Sequence, residues 1–193
     1  MNISYISDKI IWITGASSGI GLSIVKMLSA YKSKLLLTSR NIDSLREATI
    51  NINGKSTNYL FPLDVSCNHS VNEAFEFIIQ EVGYPDILIN NAGVYSEKPF
   101  LDTSISDLNS IIANNFTGFF NTTQCVLPAM IEQKGGAIIN ILSVTAIESF
   151  PNCSIYSASK SAAFTMMKCL REEVRQHHIK VINILPGAVA TNL

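Results

Sequence analysis

The sequence has no long hydrophobic run and no excess of charge of either sign. No apolar stretch approaches the 18 or more residues of a membrane span, and no basic segment leads into an apolar core at the N-terminus. We therefore expect neither a membrane segment nor a signal peptide. The net charge of −1 over 193 residues offers no basic surface for nucleic acid or an anionic membrane.

The four cysteines lack the spacings of metal sites. They form no C-x-x-C pair, and no histidine lies at metal-ligand spacing from any of them. They are Cys67, Cys125, Cys153 and Cys169. We expect reduced, packed thiols in a cytoplasmic protein, and no bound metal.

The hydrophobic residues, 47% of the chain, form short runs rich in Ile, Leu and Val that alternate with helical patterns. The predicted strands cover residues 9–14, 35–38, 59–65, 86–90, 137–143 and 180–185. Two long helices are predicted over about residues 106–131 and 154–177. This alternation, without linkers or repeats, predicts one α/β domain over residues 1–193, a Rossmann-type doubly wound parallel sheet flanked by helices.

A glycine-rich turn joins the first predicted strand to the first predicted helix. Residues 14–21 are T-G-A-S-S-G-I-G, and apolar residues then recur at helical spacing. Glycines let the backbone turn sharply and approach a ligand closely. The following helix offers free N–H groups and its positive dipole end to a phosphate. The segment therefore predicts a phosphate-binding turn.

Arg40 follows the second predicted strand, where a dinucleotide fold specific for NAD usually has an acid for the ribose 2′-OH. An arginine can bind a 2′-phosphate, whereas a carboxylate would repel it. The alternative is an arginine that is simply solvated. We favour the phosphate contact, and with it NADP(H) over NAD(H).

Polar groups also follow the other predicted strands. They are Asp64, Asn91, Ser143 and the pair Pro186-Gly187. In open α/β sheets, ligands bind outside the carboxyl ends of the strands. The sequence therefore predicts a ligand site at this edge of the sheet.

Tyr156 and Lys160 are four residues apart in a predicted helix and so lie on one face of it. A free tyrosine ionises near pH 10, and a nearby ammonium would lower the pKa of Tyr156. The pair can then donate and accept a proton. Taken alone, such a pair is more often an exposed surface feature. The polar groups at the strand ends favour the catalytic interpretation.

Taken together, these motifs resemble those of the short-chain dehydrogenase/reductase family over nearly the whole chain. Residues 14–21 match T-G-x-x-x-G-x-G, and residues 90–93 match N-N-A-G. Residues 115–118 match the helix motif with the family's catalytic asparagine, and residues 186–191 match P-G-x-V-x-T. Ser143 precedes Tyr156 by the family's usual interval.

The resemblance implies hydride transfer between NADP(H) and a carbonyl or secondary-alcohol substrate. It implies that Tyr156 exchanges the proton with the substrate, and that Lys160 lowers the tyrosine pKa and binds the nicotinamide ribose. Ser143 would hold the carbonyl oxygen, and Asn115 would position a water linked to Lys160. From the residues alone, Ser143 can also cap a strand end and Asn115 can be a hydrogen-bonded core amide.

The resemblance also implies a set of cofactor-binding residues, in which Asp64-Val65 lie beside the adenine and the last motif borders the nicotinamide. The full set is Gly15, Ser17, Ser18, Gly19, Ile20, Gly21, Arg40, Asp64, Val65, Asn91, Ala92, Gly93, Tyr156, Lys160, Pro186, Gly187, Val189 and Thr191.

Members of that family usually continue for several tens of residues past the last motif. The resemblance therefore predicts a sheet that lacks the final helix and strand. The resemblance is also compatible with a homo-oligomer, in the form of a dimer through the long helices. The short C-terminus also keeps an alternative function open, a nucleotide-binding module with weak catalysis or none.

Overall fold

The computed structural model describes residues 5–189, which form a parallel sheet with helices on both faces. The strands are β1 (Ile10–Thr14), β2 (Lys34–Ser39), β3 (Thr57–Pro62), β4 (Ile87–Asn90), β5 (Gly136–Ile141) and β6 (Ile179–Ile184). The α-helices are α1 (Gly19–Leu28), α2 (Ile42–Thr49), α3 (Asn68–Glu81), α4 (Ile105–Ile112), α5 (Gly118–Glu132) and α6 (Ser154–Val174).

The six strands lie in the order β3-β2-β1-β4-β5-β6, and every neighbouring pair is parallel. This is the strand order of a doubly wound dinucleotide-binding sheet, so the predicted fold is confirmed. The order reverses between β1 and β4. A crevice opens at such a reversal, at the carboxyl ends of the strands, and it is where a ligand is expected.

The core has two layers, one on each face of the sheet. Successive side chains of a strand point to opposite faces, so Trp12 packs in one layer while Ile11 and Ile13 pack in the other. Helices α3, α5 and α6 cover the Trp12 layer, and α1 and α2 cover the other layer. Both faces of the central strands are therefore buried, which explains their almost continuous apolar sequences.

The predicted long helix over residues 106–131 is present, but a π-helical turn interrupts it at Ala113–Thr117. There the N–H of Gly118 donates to the carbonyl of Ala113, one residue further back than in an α-helix. Pro128 lies inside α5, which continues to Glu132. Single π turns in helices often mark functional sites.

The third strand ends at Pro62, three residues earlier than its predicted end at residue 65. The Asp64 carboxylate accepts hydrogen bonds from the backbone N–H and the hydroxyl of Ser66, at 2.9 and 2.6 Å. This local turn competes with the sheet ladder, as short polar side chains commonly do.

A buried amide network fixes the end of β4. The side-chain nitrogen of Asn90 donates to Thr123 on α5 and to Asn140 on β5, both at 3.0 Å. Its oxygen accepts from Thr122 at 2.6 Å. Because the network ties two strands to a helix, it holds the following residues, 91–95, in a defined position at the crevice.

Candidate active site

A cleft of about 320 Å³ lies at the carboxyl ends of the strands, at the point where the strand order reverses. Its walls come from the glycine turn after β1, the ends of β2 and β5, the loop after β4 and the start of α6. The sequence-predicted residues that line it are Gly15, Ser17, Ser18, Ile20, Arg40, Val65, Asn91, Ala92, Gly93, Tyr156 and Lys160. The fold therefore brings distant motifs to one site.

The glycine turn requires its glycines for two different reasons. Gly15 and Gly19 have φ angles of +64° and +52°, which residues other than glycine rarely adopt. Gly21 is needed for packing, because a Cβ there would overlap the carbonyl oxygen of Gly15. The side-chain nitrogen of Asn91 donates to the carbonyls of Thr14 and Gly15, both at 3.0 Å, and so ties the turn to β4.

The N-terminus of α1 opens into the cleft without a competing acceptor. Ser18, its N-cap residue, makes no side-chain capping bond within the described chain, and the first turn holds no acidic residue. The first N–H groups of a helix need acceptors, and they carry the positive end of its dipole. Ser17 and Ser18 also line this end of the cleft. The segment suits a phosphate.

Arg40 lies at the same end of the cleft, directly after β2. Its side chain is exposed, and no acidic group within residues 5–189 forms an ion pair with it. Ser39 donates to the carbonyl of Asn41, whose own side chain caps α2 by accepting from the N–H of Ser44 at 3.0 Å. The guanidinium is therefore free to bind an anion.

The loop after β3 contributes Val65 rather than the carboxylate of Asp64. Val65 lines the cleft, and Asn121 of α5 donates to its carbonyl at 2.9 Å. A Cβ at Gly118 would lie 2.7 Å from the Val65 side chain, so the glycine permits this close approach. Asp64 lies next to the cleft, with its carboxylate bonded to Ser66.

Lys160 is almost fully buried, with 4% of its surface exposed. Its ammonium donates to the carbonyl of Ile141 at 3.2 Å and lies 5.2 Å from the centre of the Phe119 ring. Burial disfavours the charged form and lowers the pKa of Lys160 from 10.5 to about 8. The same ammonium lies 5.8 Å from the centre of the Tyr156 ring, one turn away on α6.

The pKa of Tyr156 is raised above its usual value, chiefly because burial disfavours the phenolate. The Ser143 hydroxyl acts in the opposite direction, and the Cys153 thiol adds to the rise. The net change is thus opposite to the lowering that the sequence predicted, and the effect of Lys160 on Tyr156 stays a prediction. The Lys160 ammonium is directed to the carbonyl of Ile141 instead.

Ser143 follows β5 and caps a short 3-10 turn, Val144–Ala146, through a 3.2 Å hydrogen bond from the N–H of Thr145. It is buried, and its hydroxyl acts to lower the pKa of Tyr156. The cap of the 3-10 turn therefore does not prevent the hydroxyl from acting on Tyr156.

Asn115 lies in the π turn and is fully buried. Its side-chain nitrogen donates to the carbonyl of Val94 and to the hydroxyl of Ser159, at 2.9 and 3.1 Å. Its side-chain oxygen accepts from the N–H of Val94 at 2.8 Å. The side chain therefore holds the loop after β4 against α6, and Gly93 leaves room for it, since a Cβ there would lie 2.9 Å from that oxygen.

Several predicted cofactor residues lie outside the walls of this cleft. The carbonyl of Pro186 accepts from the N–H of Val144, which places that end of the chain beside β5. Gly187 and Val189 are exposed and lie outside the cleft lining. Thr191 lies outside the described residues. Their role at the nicotinamide remains a prediction.

The residues present fit a nicotinamide dinucleotide along the cleft. The uncapped helix end offers N–H groups to a pyrophosphate, and the glycine turn packs closely against the loop after β4, since a Cβ at Gly15 would lie 2.9 Å from the Ala92 Cα. Arg40 lies at one end of the cleft, while Tyr156 and Lys160 lie at the other. A cation for a ribose phosphate and an acid–base pair are thus placed in one continuous cavity.

Comparison with known proteins agrees with this geometry. The family model described as short chain dehydrogenase matches residues 9–193. The chain belongs to the short-chain dehydrogenase/reductase family. An uncharacterised oxidoreductase of Staphylococcus aureus strain N315 is 35% identical over 189 residues, which cover 98% of this chain and 81% of that protein.

Two further relatives in the short-chain dehydrogenase/reductase family are a longer protein and a protein of known structure. The mouse dehydrogenase/reductase SDR family member 7B is 34% identical, and the match covers 98% of this chain but only 60% of that protein. A metagenomic short-chain oxidoreductase, solved in complex with NADP, is 30% identical with a TM-score of 0.88, covering 95% of this chain and 84% of that one.

Some of the residues in this short-chain dehydrogenase/reductase cleft could not be identified from motifs. They are Thr38, Ser39, Asn41, Ser44, Leu63, Val94, Tyr95, Asn114, Ile141 and Leu142. Tyr95 could have been suspected, because it is an aromatic residue two positions after the N-N-A-G motif. The others lie at strand ends, in loops or, for Ser44 and Asn114, in helical segments, and only the tertiary arrangement identifies them.

Residues 5–189 lack the features of two other classes of site. No group of three His, Cys, Asp or Glu side chains could hold a metal ion there. No helix in the described part is long and apolar enough to cross a membrane. All four cysteines are free thiols.

Proposed function

We propose that the protein is an NADP(H)-dependent oxidoreductase that interconverts a carbonyl compound and a secondary alcohol. One observation carries the proposal: Tyr156 and Lys160 share a cleft with the glycine turn and Arg40. The Ser143 hydroxyl acts to lower the pKa of the Tyr156 phenol. Such a site combines a cofactor-binding end and a proton-transfer end.

Tyr156 is the acid and base of the proposed reaction. Because burial raises its pKa, the phenol is protonated at neutral pH and can donate a proton to a substrate carbonyl oxygen. In the oxidation direction the phenolate takes the proton back. The Ser143 hydroxyl holds the same oxygen. A nicotinamide cofactor, when bound, supplies or accepts the hydride.

Lys160 and Asn115 support the reacting groups. The Lys160 ammonium favours the Tyr156 phenolate as it forms, and it is held in the cavity by the Ile141 carbonyl. Asn115 holds the loop after β4 against α6 and so maintains the cleft wall next to Tyr156. General acid–base assistance of this kind contributes roughly 10²–10⁴ in rate.

The preference for NADP(H) rests on Arg40. Its exposed guanidinium, without an ion-pair partner among residues 5–189, suits a ribose 2′-phosphate. The metagenomic relative that was solved with NADP supports the same preference.

Replacement of Tyr156 by phenylalanine tests the catalytic role. Tyr156→Phe should abolish NADPH-dependent reduction of a broad carbonyl panel while NADPH binding, followed by fluorescence titration, stays within about twofold. Tyr84→Phe is the matched control, because Tyr84 packs against Phe75 away from the cleft. Retained turnover in Tyr156→Phe would exclude the assigned acid. Binding without turnover in the wild type would instead support the nucleotide-binding module.

Replacement of Arg40 by alanine tests the cofactor preference. Arg40→Ala should weaken NADPH binding by about tenfold or more and leave NADH binding nearly unchanged, because only NADPH carries the 2′-phosphate. Arg46→Ala is the control, since Arg46 is an exposed arginine of α2 paired with Asp43. Equal losses for the two cofactors would disprove the phosphate contact.

A further inference from the structure

Tyr95, on the loop after β4, lines the cleft beside Tyr156 and has no part in the chemistry proposed above. The two rings meet edge to face, with their centres 5.0 Å apart and their planes at 82°. Tyr95 is 50% exposed. Part of its surface therefore borders the space next to the phenol of Tyr156, where a substrate carbonyl has to lie.

The hydroxyl of Tyr95 is already engaged. It lies 3.7 Å from the Cys153 sulfur and donates to the Glu97 carboxylate at 3.0 Å. These hydrogen bonds raise the pKa of Tyr95, so the phenol stays neutral. What the side chain offers to a ligand is therefore its ring.

The loop that carries Tyr95 is held in place before any ligand binds. The Asn115 side chain brackets the backbone of Val94 with bonds of 2.8 and 2.9 Å. The N–H of Lys98 donates to the carbonyl of Asn152 at 2.7 Å, and the Lys98 ammonium pairs with Asp107 at 2.8 Å. A preorganised aromatic wall loses little entropy when a ligand packs against it.

The charges around the catalytic end of the cleft disfavour an anionic substrate. Among the described residues, the charged side chains that line the cleft are Arg40, at the opposite end, and Lys160, which is buried and bonded to Ile141. The Glu97 carboxylate beside Tyr95 would repel a carboxylate. The loops after β4 and β5 also expose apolar side chains, namely Phe100, Leu101, Ile147 and Phe150.

We propose that Tyr95 is a specificity-determining residue that selects uncharged carbonyl substrates with a flat aromatic group next to the carbonyl. The Tyr95 ring packs against that group while the carbonyl oxygen bonds to Tyr156. Aromatic pairs gain more than their buried area alone provides, so a saturated ring of equal size binds less well. The inference rests on the proposed function only in taking Tyr156 as the position of the carbonyl oxygen.

The test measures ketone binding to the protein saturated with NADP⁺, a state in which no ketone can be reduced. Acetophenone, cyclohexyl methyl ketone and phenylglyoxylate are titrated by calorimetry or ligand-observed NMR. Wild type should bind acetophenone about five- to tenfold more tightly than cyclohexyl methyl ketone. Phenylglyoxylate should bind more weakly than acetophenone, because the Glu97 carboxylate next to Tyr95 would repel its carboxylate.

Three variants distinguish the effect of the Tyr95 ring from the effect of its hydroxyl and from a general effect on folding. Tyr95→Leu should lose the preference for acetophenone, whereas Tyr95→Phe should keep it. Tyr84→Leu, a change at an equally exposed tyrosine that packs on Phe75, should also keep it. If Tyr95→Leu does not fold, Tyr95→Met removes the ring in its place, and a preference that survives in Tyr95→Met overturns the role of Tyr95.

The outcomes test the role of Tyr95 in ketone binding separately from the proposed reaction at Tyr156. Equal wild-type binding of the aromatic and saturated ketones would overturn the role of Tyr95, as would a preference that survives in Tyr95→Leu or an absence of ketone binding. An aromatic preference that depends on Tyr95, without NADPH-dependent turnover of the same ketones, would support Tyr95 and contradict the acid–base role of Tyr156.

Discussion

Replacing Lys160 by methionine should make the folded protein more stable while abolishing its proposed activity. Lys160 is 4% exposed, and its pKa is lowered from 10.5 to about 8 by burial. A shift of one pKa unit corresponds to 1.36 kcal/mol, so the buried charge costs about 3 kcal/mol of folding free energy at neutral pH. Methionine has similar length and no charge. It forgoes the bond to Ile141, worth about 1 kcal/mol, so a net gain of about 2 kcal/mol is expected.

The pH dependence of the unfolding free energy separates the effect of the Lys160 charge from the effect of side-chain packing. Above pH 8 the folded protein loses the Lys160 proton, while the unfolded chain keeps it until about pH 10.5. The unfolded state then binds more protons, so the unfolding free energy of the wild type rises with pH between these values. The stability gap between Lys160→Met and wild type should therefore be constant below about pH 8 and should shrink above it.

Urea denaturation of both proteins at pH 7, 8, 9 and 10 measures this gap. Other titrating groups contribute to both proteins and largely cancel in the difference. Lys168→Met provides the control, because Lys168 is an exposed lysine of the same helix, and its gap to wild type should stay near zero throughout. A gap between Lys160→Met and wild type that does not shrink with rising pH would refute the argument that burial of the charge destabilises the fold.

Three further changes test the surroundings of the site. Asn115→Ala removes the three hydrogen bonds of a buried side chain and should destabilise the protein by about 2–4 kcal/mol, lowering Tm by roughly 5–15 °C in calorimetry. An unchanged Tm would contradict the bracing role. Gly21→Ala brings a Cβ to 2.6 Å from the Asn91 side chain and should weaken NADPH binding at least about tenfold by fluorescence titration; wild-type affinity would show that the turn tolerates it. Asp86→Asn breaks a part-exposed ion pair of 2.7 Å with Lys9, just before β4. It should lower the free energy of unfolding, measured by urea titration, by less than about 1 kcal/mol and leave activity unchanged. A loss of activity would contradict the remoteness of Asp86 from the site.

The order of elements and the carboxyl-edge location of the site follow from local patterns. Runs such as residues 10–14 and 87–90 are short, apolar on both faces and followed by turn residues, which is typical of buried parallel strands. The glycine turn was predictable for the same reason, since Gly15 and Gly19 adopt backbone angles that few other residues tolerate. These features depend on neighbours along the chain.

The shape of the catalytic end depends on contacts between segments that are distant in sequence. The π turn brings Asn115 against Val94 and Ser159, which the helical periodicity of residues 106–131 does not indicate. The raised pKa of Tyr156 likewise follows from burial, which a four-residue spacing to Lys160 cannot reveal.

Backbone preference and the alternation of apolar residues act over a few positions, and they are enough to specify the strands, the glycine turn and the face shared by Tyr156 and Lys160. Burial, ring contacts and hydrogen-bond partners are set by segments that meet in space, such as the loop of Tyr95 and the start of α6. The protonation equilibria of the site and the residues that wall it could therefore emerge only once the chain was folded, because both depend on what surrounds each group in three dimensions.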